Sequence, residues 1–183
     1  MTADALADGP VATPLVVEVN IQGGNWPDGA ADIAADAGRA AFAIAGDGEP
    51  ASVSVALMDD AAIRVLNRDY RGKDSPTNVL SFPLDDDAGF DGTEDDAALG
   101  DIAVAWETVD REAAEAGRSL DDHLRHMMVH GVLHLLGYDH ENDDDAEEME
   151  GLERQVLATL GVADPYADSD PDGAAAVGPD ADQ

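Results

Sequence analysis

Hydrophobic residues recur along this chain with two different periods, and the switches between them predict the order of elements. Leu15 to Ile21 is rich in β-branched residues and bounded by Pro14 and Gly23-Gly24, which predicts a first strand. From Asp28 to Ile44, the residues Ile33, Ala37, Ala40, Ala41 and Ile44 keep a helical stripe that Gly46 stops. Val53 to Met58 alternates like a second strand, and Asp59 or Asp60 caps a helix carrying Ile63, Leu66 and Tyr70 at helical spacing. A loop punctuated by Gly72 and Pro76 leads into a short apolar strand ending at Pro83. Gly100 to Trp106 reads as a fourth strand running directly into a helix over Glu107 to Ala116. Ser119 then opens a long helix to Leu136 in capping-box form, with Asp122 where Glu or Gln is usual. Its core stripe is Leu120, Leu124, Met127, Met128, Gly131 and Leu135, and beyond Met127 nearly every residue is apolar, which predicts a central helix buried on most sides. Asp143 to Asp145 suit the start of a last helix, which Met149, Leu152, Val156 and Leu160 carry to Gly161.

The pattern thus gives four strands and five helices with no internal repeat, in one domain over residues 14–162. Residues 1–13 read as a disordered leader. Residues 85–96 are acidic and Gly-rich, as expected of a solvated loop. Residues 163–183 are Asp, Ala, Pro and Gly, an acidic tail with too little hydrophobicity to fold.

Charge changes the picture most. The 183 residues carry 41 acidic and nine basic side chains, a formal net charge of −32. Such a balance favours a soluble monomer, repels nucleic acid unless the basic residues are concentrated, and reads as the mark of an acidic, salt-adapted or high-GC proteome. Four of the nine basic residues do fall within ten positions: Arg64, Arg68, Arg71 and Lys73, the only lysine. Arg64 and Arg68 are expected to pair with nearby aspartates on an exposed helix, which leaves the loop residues Arg71 and Lys73 to hold a phosphate. Cysteine is absent, which excludes disulfides and thiolate metal sites. The N-terminus has no basic region followed by an apolar one and no apolar run approaches 18 residues, so a cytoplasmic protein without a membrane partner is expected.

Three of the five histidines stand in His130-Gly131-Val132-Leu133-His134-Leu135-Leu136-Gly137-Tyr138-Asp139-His140. A step of four on a helix puts His130 and His134 on one face, and a positive φ at Gly137 would end the helix and bring His140 back toward them. Three imidazoles suit one Zn²⁺ in a catalytic arrangement that leaves the fourth position to water. His126 extends the stripe, but 126 and 134 lie roughly 12 Å apart along a helix, too far to share one ion past the middle ring. His126 and His123 are therefore assigned to the surface or to a supporting role. The spacing matches the metzincin peptidase signature except that Gly131 replaces the catalytic Glu, which argues for the metal and against peptide hydrolysis. One motive for Gly131 is room beside the metal for a bulky substrate group; the other is a tight helix crossing.

Together YRGKDSPTNVLSFP, LGDIAVA and HMMVHGVLHLLGYDH followed by the EEME helix resemble the YbeY family of bacterial endoribonucleases, the rRNA maturation factors, over residues 50–165, with weaker support from 14–50. The resemblance implies an α+β fold, a four-stranded mixed sheet packed with about five helices around a central metal-bearing helix. It places the metal ligands on His130, His134 and His140 and the functional arginine on Arg71. It implies a zinc-dependent, single-strand-specific endoribonuclease that trims the 3′ end of small-subunit (16S) rRNA and serves ribosome quality control, with rRNA, the small subunit and ribosome-associated proteins as partners and no DNA. On this reading Arg71 and His130 are the catalytic residues, Arg71 and Lys73 bind the scissile phosphate, and zinc supplies hydroxide near neutral pH or polarises the phosphate while the RNA 2′-hydroxyl attacks. Asp139 either orients a ligand imidazole or caps the following turn. Two other readings compete: a zinc metallopeptidase-like hydrolase, and a non-catalytic assembly factor that zinc only stabilises.

Overall fold

Period-two burial on the strands separates two apolar layers. The computed structural model describes residues 15–84 and 97–166; the expected leader, the acidic loop at 85–96 and the tail beyond Tyr166 lie outside the described residues. Strands β1 (Leu15–Ile21), β2 (Ala51–Met58), β3 (Val79–Pro83) and β4 (Ala97–Ala105) form one sheet in the order β1-β2-β4-β3. β1 and β2 are parallel, as are β2 and β4, while β3 runs antiparallel to β4 and forms an edge. The helices are α1 (Ala30–Ala45), α2 (Asp60–Arg71), α3 (Trp106–Ala116), α4 (Leu120–Leu135) and α5 (Asp143–Thr159). The architecture is the expected α+β mixed sheet.

On β2, Val53, Val55 and Leu57 face the larger core with α1, α4 and α5, whereas Met58 joins Ile63, Leu80, Ala103 and Ala105 in a smaller layer under α2. β4 alternates in the same way, with Ile102 and Val104 toward the larger core. Tyr70, expected on the packed stripe of α2, is instead 68% exposed, because Ile63 and Asn67 form the buried face of that helix.

α4 touches α1, α3, α5, β3 and β4, so it is the central helix that its near-continuous hydrophobicity predicts. Ser119 caps it by accepting the Asp122 N–H at 3.1 Å, but the reciprocal half of the capping box is missing: the Asp122 carboxylate pairs with Arg125 at 2.7 Å. At the other end Gly137 has φ 103°, and the N–H groups of Gly137 and Tyr138 donate to the carbonyls of His134 and Leu133. That closure fits a residue without Cβ and turns the chain back.

Gly131 faces the sheet. A Cβ there would lie 3.1 and 3.2 Å from Ile102 side-chain carbons and 3.3 Å from Ser81 Oγ, and the Ser81 hydroxyl donates to the Gly131 carbonyl at 3.2 Å. The glycine therefore allows close helix–sheet approach, and the expected motive of room beside a metal is replaced by this packing one. Gly131→Leu is expected to cost about 1–3 kcal/mol through overpacking, read as a lower urea midpoint; an unchanged midpoint would mean the contact is slack.

Candidate metal centre

α4 and the Gly137 turn bring His130, His134 and His140 together. One ring nitrogen from each lies within 4.8 Å of the other two, and the ring centroids are 4.6, 5.2 and 5.6 Å apart. His130 and His134 are half-buried and His140 is exposed, so the group opens to solvent on one side. Burial, followed by the neighbouring His130 and His140, lowers the His134 pKa to about 4, which keeps its lone pair free at neutral pH. No fourth His, Asp or Glu joins the group among the described residues. Three imidazoles with a solvent-facing side form a donor set that fits a tetrahedral divalent ion with one position left open.

Behind the cluster stands a residue that the sequence reading passed over. Glu153, on α5, is 1% exposed. Its Oε2 accepts from His130 Nδ1 at 2.6 Å, and its Oε1 accepts from His126 Nε2 at 2.9 Å and from the Tyr166 hydroxyl. Burial alone would raise the Glu153 pKa, but the hydrogen bonds from His126 and His130 outweigh it and hold the carboxyl well below its ordinary range. Burial pushes His126 down, and burial together with the Glu153 charge pushes the Tyr166 phenol up. Glu153 is thus a buried acceptor shared by three donors.

A signal was available: Glu153 sits four residues after Met149 and three before Val156, on the apolar stripe of its helix, where a charge is out of place. His126 and His123 are likewise not surface residues. Both are 8% exposed, His126 against Glu153 and His123 with its Nε2 2.9 Å from Glu112. Tyr166 lies beyond the expected domain boundary at 162, yet its ring packs edge-on to His126 at 5.7 Å and under the Arg154 guanidinium at 5.2 Å. Arg118 donates to the Pro165 carbonyl at 2.9 Å and pins the same segment.

Arg71 ends α2 and donates to the Ser81 carbonyl on β3 at 2.8 Å, with its guanidinium 5.7 Å from the Phe82 ring centroid. Because the Ser81 hydroxyl reaches Gly131, beside His130, one strand residue ties Arg71 to the helix that carries His130 and His134. Arg64 pairs with Asp74 at 2.7 Å and Arg68 with Asp69 at 3.1 Å, as expected, whereas Arg71 and Lys73 have no carboxylate partner among the described residues. The loop that bears Lys73 is held by Asn67, whose amide donates to the Ser75 carbonyl at 2.8 Å and whose own carbonyl receives the Lys73 N–H. Of the two roles weighed for Asp139, the contact seen is the local one: its carboxylate accepts the His140 N–H at 2.7 Å.

The model of the Endoribonuclease YbeY family matches residues 30–161. The chain is 56% identical over 144 residues to the Endoribonuclease YbeY of Bradyrhizobium diazoefficiens, covering 78% of each protein. To that of Azorhizobium caulinodans it is 52% identical over 158 residues, covering 84% of this chain and 97% of that protein. The solution structure of TM1509 from Thermotoga maritima aligns with a TM-score of 0.52 at 26% identity, covering 82% of this chain and 90% of that one. The family match runs from α1 through α5 and takes in Arg71 and all three clustered histidines, and on that ground the chain belongs to the YbeY family of endoribonucleases.

Proposed function

We propose that this chain is a zinc-dependent endoribonuclease that cuts single-stranded RNA, and that it matures the 3′ end of 16S rRNA on the small ribosomal subunit in the cytoplasm, with a part in ribosome quality control. The observation that carries the reading is the trio His130, His134 and His140, within 4.8 Å of one another and open on one side. Bound there, zinc supplies a Lewis acid that polarises a phosphoryl oxygen and makes a water nucleophile available near neutral pH. His130, His134 and His140 hold the ion. Arg71, anchored at one N–H by Ser81, keeps the rest of its fork for the scissile phosphate and for the charge that grows on its oxygens. Lys73 adds a second positive charge from the adjoining loop.

A peptidase would need a carboxylate base facing substrate. Position 131 is glycine pressed on the sheet, and Glu153 is committed to three donors on the buried side of His130. Both observations weigh against peptide hydrolysis.

The test is 3′-extended 16S rRNA in small-subunit particles, incubated with zinc-loaded, chelator-stripped and zinc-restored protein. Cleavage should appear, vanish and return. Equal cleavage by stripped protein, or zinc-dependent digestion of an unstructured polypeptide in place of RNA, would contradict the proposal. A 2′,3′-cyclic phosphate on the product would identify the RNA 2′-hydroxyl as nucleophile.

The net charge makes a separate prediction. At about 0.15 M salt the screening length is roughly 8 Å, so added salt mutes the repulsion from distant acidic residues while Arg71 and Lys73 still act locally. Affinity for isolated RNA, measured by filter binding, should stay flat or rise with salt. A steep fall of the kind that phosphate-dominated binding shows would mean that the basic residues govern a larger surface.

A further inference from the structure

A buried carboxylate that pairs with no lysine or arginine among the described residues needs a reason. Glu153 shares its face of α5 with Met149, Val156 and Leu157, all within the apolar core. Placing an ion there is expensive unless its lone pairs are filled, and an apolar side chain of similar volume is commonly as stable or more so. What Glu153 supplies is two oxygens that only accept, and each fixes a proton on a neighbour.

We propose that Glu153 is a positioning residue of the metal centre: its Oε2 fixes the His130 proton on Nδ1, so that Nε2 is the nitrogen offered to the ion, while His126 and Tyr166 hold the carboxylate in place through Oε1. The inference rests on the metal-centre reading above.

The hydrogen-bond pattern determines the protons. Because the carboxylate cannot donate, the 2.6 Å contact requires a proton on His130 Nδ1, which leaves Nε2 as the ring nitrogen free to face an ion. The same logic puts the His126 proton on Nε2. His126 Nδ1 is buried without a partner, so a proton there would be an orphaned donor. Tyr166 contributes the third donor from the C-terminal segment, which Arg118 and Arg154 anchor. The carboxylate thereby couples α5, α4 and residues 164–166 to one ligand ring. In metal sites generally, such partners behind a ligand histidine set its tautomer and orientation.

Glu153→Gln keeps the volume but replaces one oxygen with an NH₂ group. If that group faces His130, the ring must accept through Nδ1, and its proton moves to the nitrogen that would hold the ion. The test is competition of apo-protein against a chromophoric chelator for zinc, alongside thermal melts of the same apo-proteins. Glu153→Gln should weaken zinc binding about 10- to 100-fold, and Tyr166→Phe by a smaller factor, with both apo-proteins folded. An unchanged zinc affinity in Glu153→Gln, with only a lowered apo melt, would reduce Glu153 to packing and overturn the proposal.

If Glu153→Gln fails to fold, long-range ¹H–¹⁵N correlation on the wild-type chain decides the matter. A proton on His130 Nδ1 in the apo-protein is the expected result, and a proton on Nε2 overturns the inference. A wild-type chain that takes up no zinc would defeat the metal-centre reading, while the apo tautomer would still report on Glu153.

Discussion

Arg71→Ala is expected to lower RNA cleavage by about 10²–10³-fold, the usual consequence of removing a preorganised donor to a charge that builds in the transition state. The fold should survive it. The side chain is exposed, and its loss removes one hydrogen bond to the Ser81 carbonyl, about 1 kcal/mol, together with an exposed contact on the Phe82 ring. Zinc uptake should be unchanged, because Arg71 reaches the ligand helix only through Ser81 and the Gly131 carbonyl. Arg71→Lys should recover only part of the rate, since an ammonium that satisfies Ser81 has no planar fork left for a phosphate. Single-turnover cleavage of 3′-extended rRNA measures the effect. A variant that processes rRNA at the wild-type rate would support the assembly-factor reading, in which zinc serves only structure.

His134→Ala should have the larger consequence: no stoichiometric zinc and no cleavage above background. Removing the middle ligand leaves His130 and His140, two donors with centroids 5.6 Å apart. The stability readout is independent of activity. A chain bathed in zinc at 1,000 times its Kd gains about 4 kcal/mol, which for a chain of this size raises Tm by roughly 8–16 °C. The wild type should show that rise and His134→Ala should not, while the two apo-proteins melt close together because His134 is only half-buried. If His134→Ala unfolded even without zinc, the ring would be a packing element and the ligand reading would suffer.

Where periodicity and capping chemistry act locally, the fold was legible. The Asp59, Ser119 and Gly137 signals end or begin helices as their geometry requires, and the five helices and four strands of the described residues stand in the expected order. The strand starts were less legible. β2 begins at Ala51 and β4 at Ala97, ahead of Val53 and Gly100, because pairing with neighbouring strands extends through small residues that carry no alternation of their own. The histidine cluster was legible because all its members lie within eleven residues and one helix geometry relates two of them.

Glu153 and Tyr166 were not, for the opposite reason. The place of Glu153 on the apolar stripe of its helix marks it as buried, but its acidic neighbours mask that signal and its histidine partners come from α4, 23 and 27 residues away. Tyr166 stands in a stretch whose composition argues against folding, and it docks through a single phenol, a contact that no local pattern encodes. The placement of Gly131 was legible as a departure from the peptidase pattern, but its cause, contact with Ile102 and Ser81, lies on strands 29 and 50 residues earlier in the chain.

The most direct measurement is the metal content of the purified chain and of His134→Ala, determined by mass spectrometry of the elements beside rRNA cleavage on the same samples. One zinc per chain that disappears together with cleavage in the variant is the predicted result. A wild-type chain that cleaves rRNA without any bound metal, or a variant that keeps its zinc and its activity, would contradict the account.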